Sequence, residues 1–191
     1  MKRLTGFLLV CLLASGVQAQ SWAKKEVAAK TKGFMDDFAA AQKEAAAFKQ
    51  PIFIFFTGSD WCGWCMKLRG EVLDTKEFEK FAAANLILLE ADFPKAKKLS
   101  AAVKKQNEEL AAKYGVRGYP TVYLVDETGK VLAQTGYQEG GAEAYVKHLR
   151  ELLEKAGVKV ADGAAGGKPL SAYERMKAEK AAKAAGAEKA K

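Results

Sequence analysis

Five apolar residues in a row, Ile52-Phe53-Ile54-Phe55-Phe56, lie between Pro51 and Gly58. A run so short and so rich in β-formers, closed off by two breakers, is a strand with both faces buried, as in the centre of a mostly parallel sheet. It leads through Thr57-Gly58-Ser59-Asp60 into Trp61-Cys62-Gly63-Trp64-Cys65. A buried strand that hands a Cys-x-x-Cys pair to the start of a helix restricts both the fold and the chemistry of the chain.

The flanking pattern extends this unit. Phe34, Phe38, Ala41, Ala45 and Phe48 recur at helical spacing and predict a helix over residues 33–49, stopped by Pro51. A helix is expected from Cys62 to Leu73, and another over 75–84 with Thr75 at its start. Leu86 to Ala91 is the next strand. Leu99, Val103, Gln106, Leu110 and Tyr114 share one face of a helix over 98–114, which Gly115 ends. Strands over 121–125 and 130–136 flank Asp126-Glu127-Thr128-Gly129, a hairpin signature. The last helix carries Tyr145, Val146, Leu149, Leu152 and Leu153 and closes at Gly157. Helices alternating with strands, then a hairpin and a helix, predict an α/β fold: a central mixed sheet with helices on both faces.

The ends read differently. Lys2 and Arg3 precede an apolar stretch from Leu4 to Val17, and Val17-Gln18-Ala19 resembles a cleavage site. Residues 1–19 are therefore expected to be a secretory signal peptide. The stretch is short for a membrane span, so a periplasmic or secreted chain without stable membrane insertion is expected. Residues 20–32 are polar apart from Trp22 and Val27, and fit a short strand, a helical turn or a tail. Residues 20–160 are the expected folded domain. Ala, Gly and Lys dominate 161–191, a tail that is flexible or weakly helical from the capping box at Ser171-Ala172-Tyr173-Glu174. The 31 Lys and Arg against 23 Asp and Glu give a net charge of +8. That surplus is spread along the chain and indicates no nucleic-acid partner.

Of the three cysteines, Cys11 leaves with the signal. One close pair remains, in a compartment where disulfides persist. Closing so small a loop adds little stability, so the pair is expected to react; an inert structural disulfide is the other reading. Residues i and i+3 of a helix are about 5–6 Å apart, within the reach of a disulfide. Cys62 and Cys65 can then join and separate with little backbone motion. Cys62, at the helix N-terminus, meets unpaired N–H groups that lower its pKa and make it the attacking thiolate. Cys65, one turn inward, is the resolving thiol. No metal or cofactor is expected. Zinc needs four ligands, and only Cys62, Cys65 and His148 remain. Iron–sulfur clusters need four Cys-type ligands. Haem attachment needs His where Met66 stands. Trp61, Gly63 and Trp64 form a surface for polypeptide, although Trp64 also fits a packing role.

These motifs resemble the thioredoxin superfamily, and more closely its exported members. Trp61-Cys62-Gly63-Trp64-Cys65 follows the buried strand, and Tyr114-Gly115-Val116-Arg117-Gly118-Tyr119-Pro120-Thr121 resembles the family's segment around a cis-proline. The likeness covers about residues 33–157. It implies the thioredoxin fold, a cis Tyr119-Pro120 bond facing the cysteines, and substrate docking at Tyr119, Pro120 and Thr121. Two departures matter. The dipeptide between the cysteines is Gly63-Trp64, with no His to stabilise the thiolate, which disfavours a strong oxidant. Thioredoxins also keep a buried carboxylate six residues before the first cysteine, where this chain has Phe56. Glu90, an acid in an otherwise apolar strand, is the expected substitute. It would point at the underside of the cysteine helix and take the Cys65 proton.

The expected function is an exported thiol–disulfide oxidoreductase, a reductase or isomerase of protein disulfides. Its partners would be client proteins with disulfides and an upstream thiol donor or acceptor. A monomer is expected, because no dimerisation segment is evident. A thioredoxin-fold binding or chaperone-like module with an incidental disulfide is the alternative.

Overall fold

A computed structural model of the chain describes residues 33–161. The expected signal peptide, the segment 20–32 and the tail beyond Ala161 lie outside the described residues. The elements run α1 (Phe38–Phe48), β1 (Ile52–Thr57), α2 (Gly63–Leu68), a π-helical turn (Arg69–Leu73), α3 (Lys76–Asn85), β2 (Ile87–Asp92), α4 (Ala101–Tyr114), β3 (Thr121–Val125), β4 (Val131–Thr135) and α5 (Gly141–Lys155).

The sheet has the order β2-β1-β3-β4. β1 pairs parallel with β2 and antiparallel with β3, and β3 pairs antiparallel with β4. All six residues of β1 are buried, as its unbroken apolar run requires. Alternate side chains enter opposite cores. Phe53 and Phe55 join Cys62, Cys65, Leu68, Phe78, Tyr145 and Leu149 under α2, α3 and α5. Ile52, Ile54 and Phe56 join Ala41, Ala45, Leu110 and Tyr114 under α1 and α4. This is the expected mixed sheet with helices on both faces.

Three expected boundaries move, each for a local reason. The first helix begins at Phe38, not at residue 33. The Asp37 side chain caps it by accepting the Ala40 N–H, and Met35 instead pairs with the outer edge of β2 through Leu88 and Glu90. The helix expected from residue 98 begins at Ala101, because the Ser100 hydroxyl accepts the Val103 N–H and caps it. The helix expected over 62–73 is not uniform. After Leu68 it widens into the π-helical turn, and such wide turns often mark functional sites.

Candidate active site

The cysteine pair sits where β1 hands over to α2. The carbonyl of Gly58 accepts the N–H groups of Trp61 and Cys62 at 3.2 and 2.9 Å, which turns the chain sharply. Gly58 is required for a second reason: a Cβ there would overlap the Trp61 indole. Cys62 caps α2, its Sγ accepting the Cys65 N–H at 3.2 Å. The sulfur occupies the position of the usual serine or aspartate oxygen at a helix start. The same N–H would meet a Cys62 thiolate, and hydrogen bonding to the charged form favours it. Cys62 and Cys65 form a disulfide with Cα atoms 5.2 Å apart. Cys62 is 6% exposed and Cys65 only 1%. Cys62 therefore has the readier approach from outside, and Cys65 lies behind it.

Two aromatic groups flank the pair. Trp61 is held by its Nε1–H, which donates to the Phe93 carbonyl at 2.7 Å. Its ring meets Tyr119 edge-on at 5.6 Å, and Tyr119 also contacts Phe93. Among the described residues Trp64 is the most exposed large apolar side chain, at 57%. It lies 5.3 Å from Tyr137, under the Lys67 ammonium. The Tyr137 hydroxyl donates to Glu71 at 2.7 Å. Trp64 is thus a surface residue braced from one side, not a core residue. Gly63 has open space around its α-carbon, leaving the backbone between the cysteines accessible.

The Tyr119-Pro120 bond is cis. Thr121 opens β3 opposite Phe56 near the end of β1, so this segment lies at the sheet end that carries the cysteine loop. Thr121 Oγ1 donates to the Gly118 carbonyl at 2.8 Å. Proline has no N–H and leaves none unpaired at this edge. At Gly136, on the adjoining chain, a Cβ would stand 3.2 Å from the Pro120 carbonyl oxygen, so only a residue without a side chain fits there comfortably.

Glu90 follows Leu88 on the β2 face under the cysteine helix, beside Phe55 in register. Its carboxylate forms an ion pair with Arg69, 2.8 Å from Nη2. Burial raises its pKa above the ordinary carboxylate value, and the nearby Arg69 charge offsets only part of that. Arg69, at the start of the π-helical turn, packs its guanidinium against the adjacent rings of Phe34 and Phe55. Its N–H donates back to the Cys65 carbonyl. The residue six before Cys62 is Phe56, and it packs on the opposite face with Tyr114 and Tyr123. Phe55 is the β1 residue under the cysteine helix.

Sequence reasoning missed Arg69 and Tyr137. Arg69 reads as one more solvated helix residue until Glu90 is found beside it. Tyr137 follows the glycine that closes the last strand, a signal that was available. His148 lies on α5, its Nε2 2.9 Å from Thr135 Oγ1. Among the described residues no group of three or more His, Cys, Asp or Glu gathers to hold a metal ion, and no helix is long and apolar enough to cross a membrane.

A family model described as a thioredoxin-like domain matches residues 38–153, more than half of the chain. Disulfide bond reductase DsbH of Chlamydia pneumoniae is 38% identical over 119 residues, covering 62% of this chain and 72% of that protein. Thioredoxin-related protein DsbJ of the same organism is 27% identical over 127 residues, covering 63% of this chain and 36% of DsbJ. A solved structure titled DsbH oxidoreductase superposes with a TM-score of 0.58 at 38% identity, covering 60% of this chain and 79% of that one.

Proposed function

The chain belongs to the thioredoxin-like family, and from that premise we propose that it works outside the cytoplasm, as a reductase of disulfides in client proteins. It is a thiol–disulfide oxidoreductase with Cys62 and Cys65 as its redox pair. Residues 1–19 direct export, residues 20–160 carry the activity, and the chain acts as a monomer.

The reaction starts from the dithiol form. The Cys62 thiolate attacks one sulfur of a client disulfide. The client's other sulfur leaves as a thiolate and takes a proton. Cys65 then loses its proton, attacks Cys62 Sγ and expels the client's first sulfur. Two electrons have passed to the client, and the chain holds the Cys62–Cys65 disulfide. An upstream dithiol returns it to the reduced form by the same two exchanges.

The single observation that carries this reading is the capped geometry of Cys62. Its sulfur stands at the helix start, accepting an N–H, with Cys65 bonded to it from behind. Trp61, Gly63, Trp64, Tyr119, Pro120 and Thr121 hold the client chain against the pair. Glu90 takes the proton of Cys65, its pKa raised by burial. Reduction is favoured over oxidation because Gly63-Trp64 supplies no cation to hold the Cys62 thiolate. The printed name of DsbH, a disulfide bond reductase, points the same way. Turnover of insulin disulfides with dithiothreitol as donor tests the reading. The native chain should accelerate reduction and Cys62→Ala should abolish the acceleration. Equal rates with both proteins would leave only a binding module.

A further inference from the structure

We propose that the surface beside Trp61 selects client segments that carry carboxylates next to their reactive sulfur; the proposal rests on the oxidoreductase reading above. The loop over residues 93–98 is fastened to the cysteine loop. The Asp60 carboxylate accepts the N–H groups of Lys95, Ala96 and Lys97 at 2.9, 2.6 and 3.1 Å. Buried Asp92 accepts the N–H and hydroxyl of Ser59 at 2.9 and 2.6 Å. Asp92 is buried and shares its charge with Lys97, whereas Asp60 is exposed and stays ionised, one negative charge beside these lysines.

The cations are placed otherwise. Lys95 Nζ lies 4.7 Å from the centre of the Trp61 ring, and Lys98 and Arg117 are exposed, Arg117 two residues before Tyr119. None of the three has an ion-pair partner among the described residues. Lys97 alone shares its charge, with Asp92 at 3.6 Å. At the other rim Lys67 covers Trp64, but Glu71 lies 3.9 Å from it and Glu139 also acts on its charge. Lys95, Lys98 and Arg117 outnumber Asp60, so the segments that flank Trp61 and Tyr119 carry a positive surplus, while charge is balanced at Trp64 and Tyr137. An extended segment presenting a sulfur to Cys62 passes over one rim or both. Aspartate or glutamate beside that sulfur meets Lys95 and its neighbours on a platform already ordered by Asp60. Complementary charge of this kind raises association rates and fixes orientation.

Three disulfide-linked peptides, identical except for Glu, Gln or Lys flanking the cysteine, test this with the pre-reduced full chain in single-turnover reactions. The Glu peptide should react about tenfold faster than the Lys peptide at low ionic strength. The gap should close near 1 M salt, where the Debye length is about 3 Å. In Lys95→Glu/Lys98→Glu the ratio of the two rates should invert. A ratio within one variant is independent of how much of that variant is active. Equal rates for the peptides, or a ratio that charge reversal leaves unchanged, would overturn the proposal. Uncharged bis(2-hydroxyethyl) disulfide separates the two failures. Its reduction with no peptide preference rejects the charge selection alone, and no reduction of any disulfide rejects the oxidoreductase reading with it.

Discussion

Arg69 Nη2 stands 2.8 Å from Glu90 Oε2 beneath the cysteine helix, with its guanidinium against the neighbouring rings of Phe34 and Phe55. For Glu90 the cost of burial exceeds the attraction, since its pKa is raised despite the neighbouring cation. A carboxyl raised in the folded state binds its proton more tightly there than in the unfolded chain. Its contribution to stability is complete below the ordinary value of 4.5 and declines as pH rises through the folded value. Glu90→Gln should therefore cost little at neutral pH and should remove this decline. Arg69→Met should cost roughly 2 kcal/mol at neutral pH, less than the 3–5 of breaking a fully buried pair, because Arg69 is a quarter exposed. The cost should shrink on acidification as Glu90 takes a proton. Urea unfolding across pH 4 to 8 measures both, and a stability loss in Glu90→Gln larger than in Arg69→Met contradicts this account.

Because Glu90→Gln is expected to stay folded, it also isolates the proton transfer. With a mixed disulfide preformed on Cys62, release of the client thiol should slow about tenfold or more in this variant. Stopped-flow thiol detection follows the step. An unchanged rate assigns the proton of Cys65 to another acceptor.

The sheet, its helices and the cysteine pair were legible in the sequence because each rests on a strong local signal. The unbroken run of β1 can only be buried on both faces, and Gly115 and the Asp126–Gly129 turn mark ends that glycine or a capping aspartate makes unambiguous. Glu90 stood out as an acid in an otherwise apolar strand, which also fits a strand-end residue facing water; it is paired with Arg69 instead. What was hidden depends on tertiary contact. The first helix was extended too far because Phe34 has helical spacing from Phe38, while the backbone of Met35 is claimed by the edge of β2. Arg69 stands one helical turn after Cys65 and three residues before Val72, on the buried face, where a charged side chain reads as solvated until Glu90 is found beside it. Counting back from Cys62 reaches Phe56, yet alternation along β1 puts Phe55 on the cysteine side. The packing of the strand, not the residue count, identifies the buried position.

Asp60 fastens the loop beside the site through three backbone N–H groups. These bonds hold its carboxyl below the ordinary value of 3.8. The order they supply is present above that value and is lost as pH falls through the lowered one. Asp60→Ala should reduce hydrogen-exchange protection at Lys95, Ala96 and Lys97 while leaving β1 protected. Unchanged protection at these three amides would show that other contacts hold the loop.

The hydroxyl of Tyr145 is fully buried and has no hydrogen-bond partner. Leaving such a group unpaired costs roughly 1–3 kcal/mol, and burial raises its pKa. Tyr145→Phe should therefore be neutral or stabilising, by up to about 1 kcal/mol, in thermal and urea unfolding. A loss of stability would mean that the hydroxyl has found a partner in solution.

The decisive measurement is the covalent trapping of a client. Cys65→Ser, reduced and mixed with a disulfide-bearing peptide, should accumulate a mixed disulfide that mass spectrometry places on Cys62. Cys62→Ser should accumulate none, because Cys65 is 1% exposed and lies behind the attacking position. Adducts forming equally on Cys65, or on neither residue, would contradict the assignment of Cys62 as the thiol that meets partner chains.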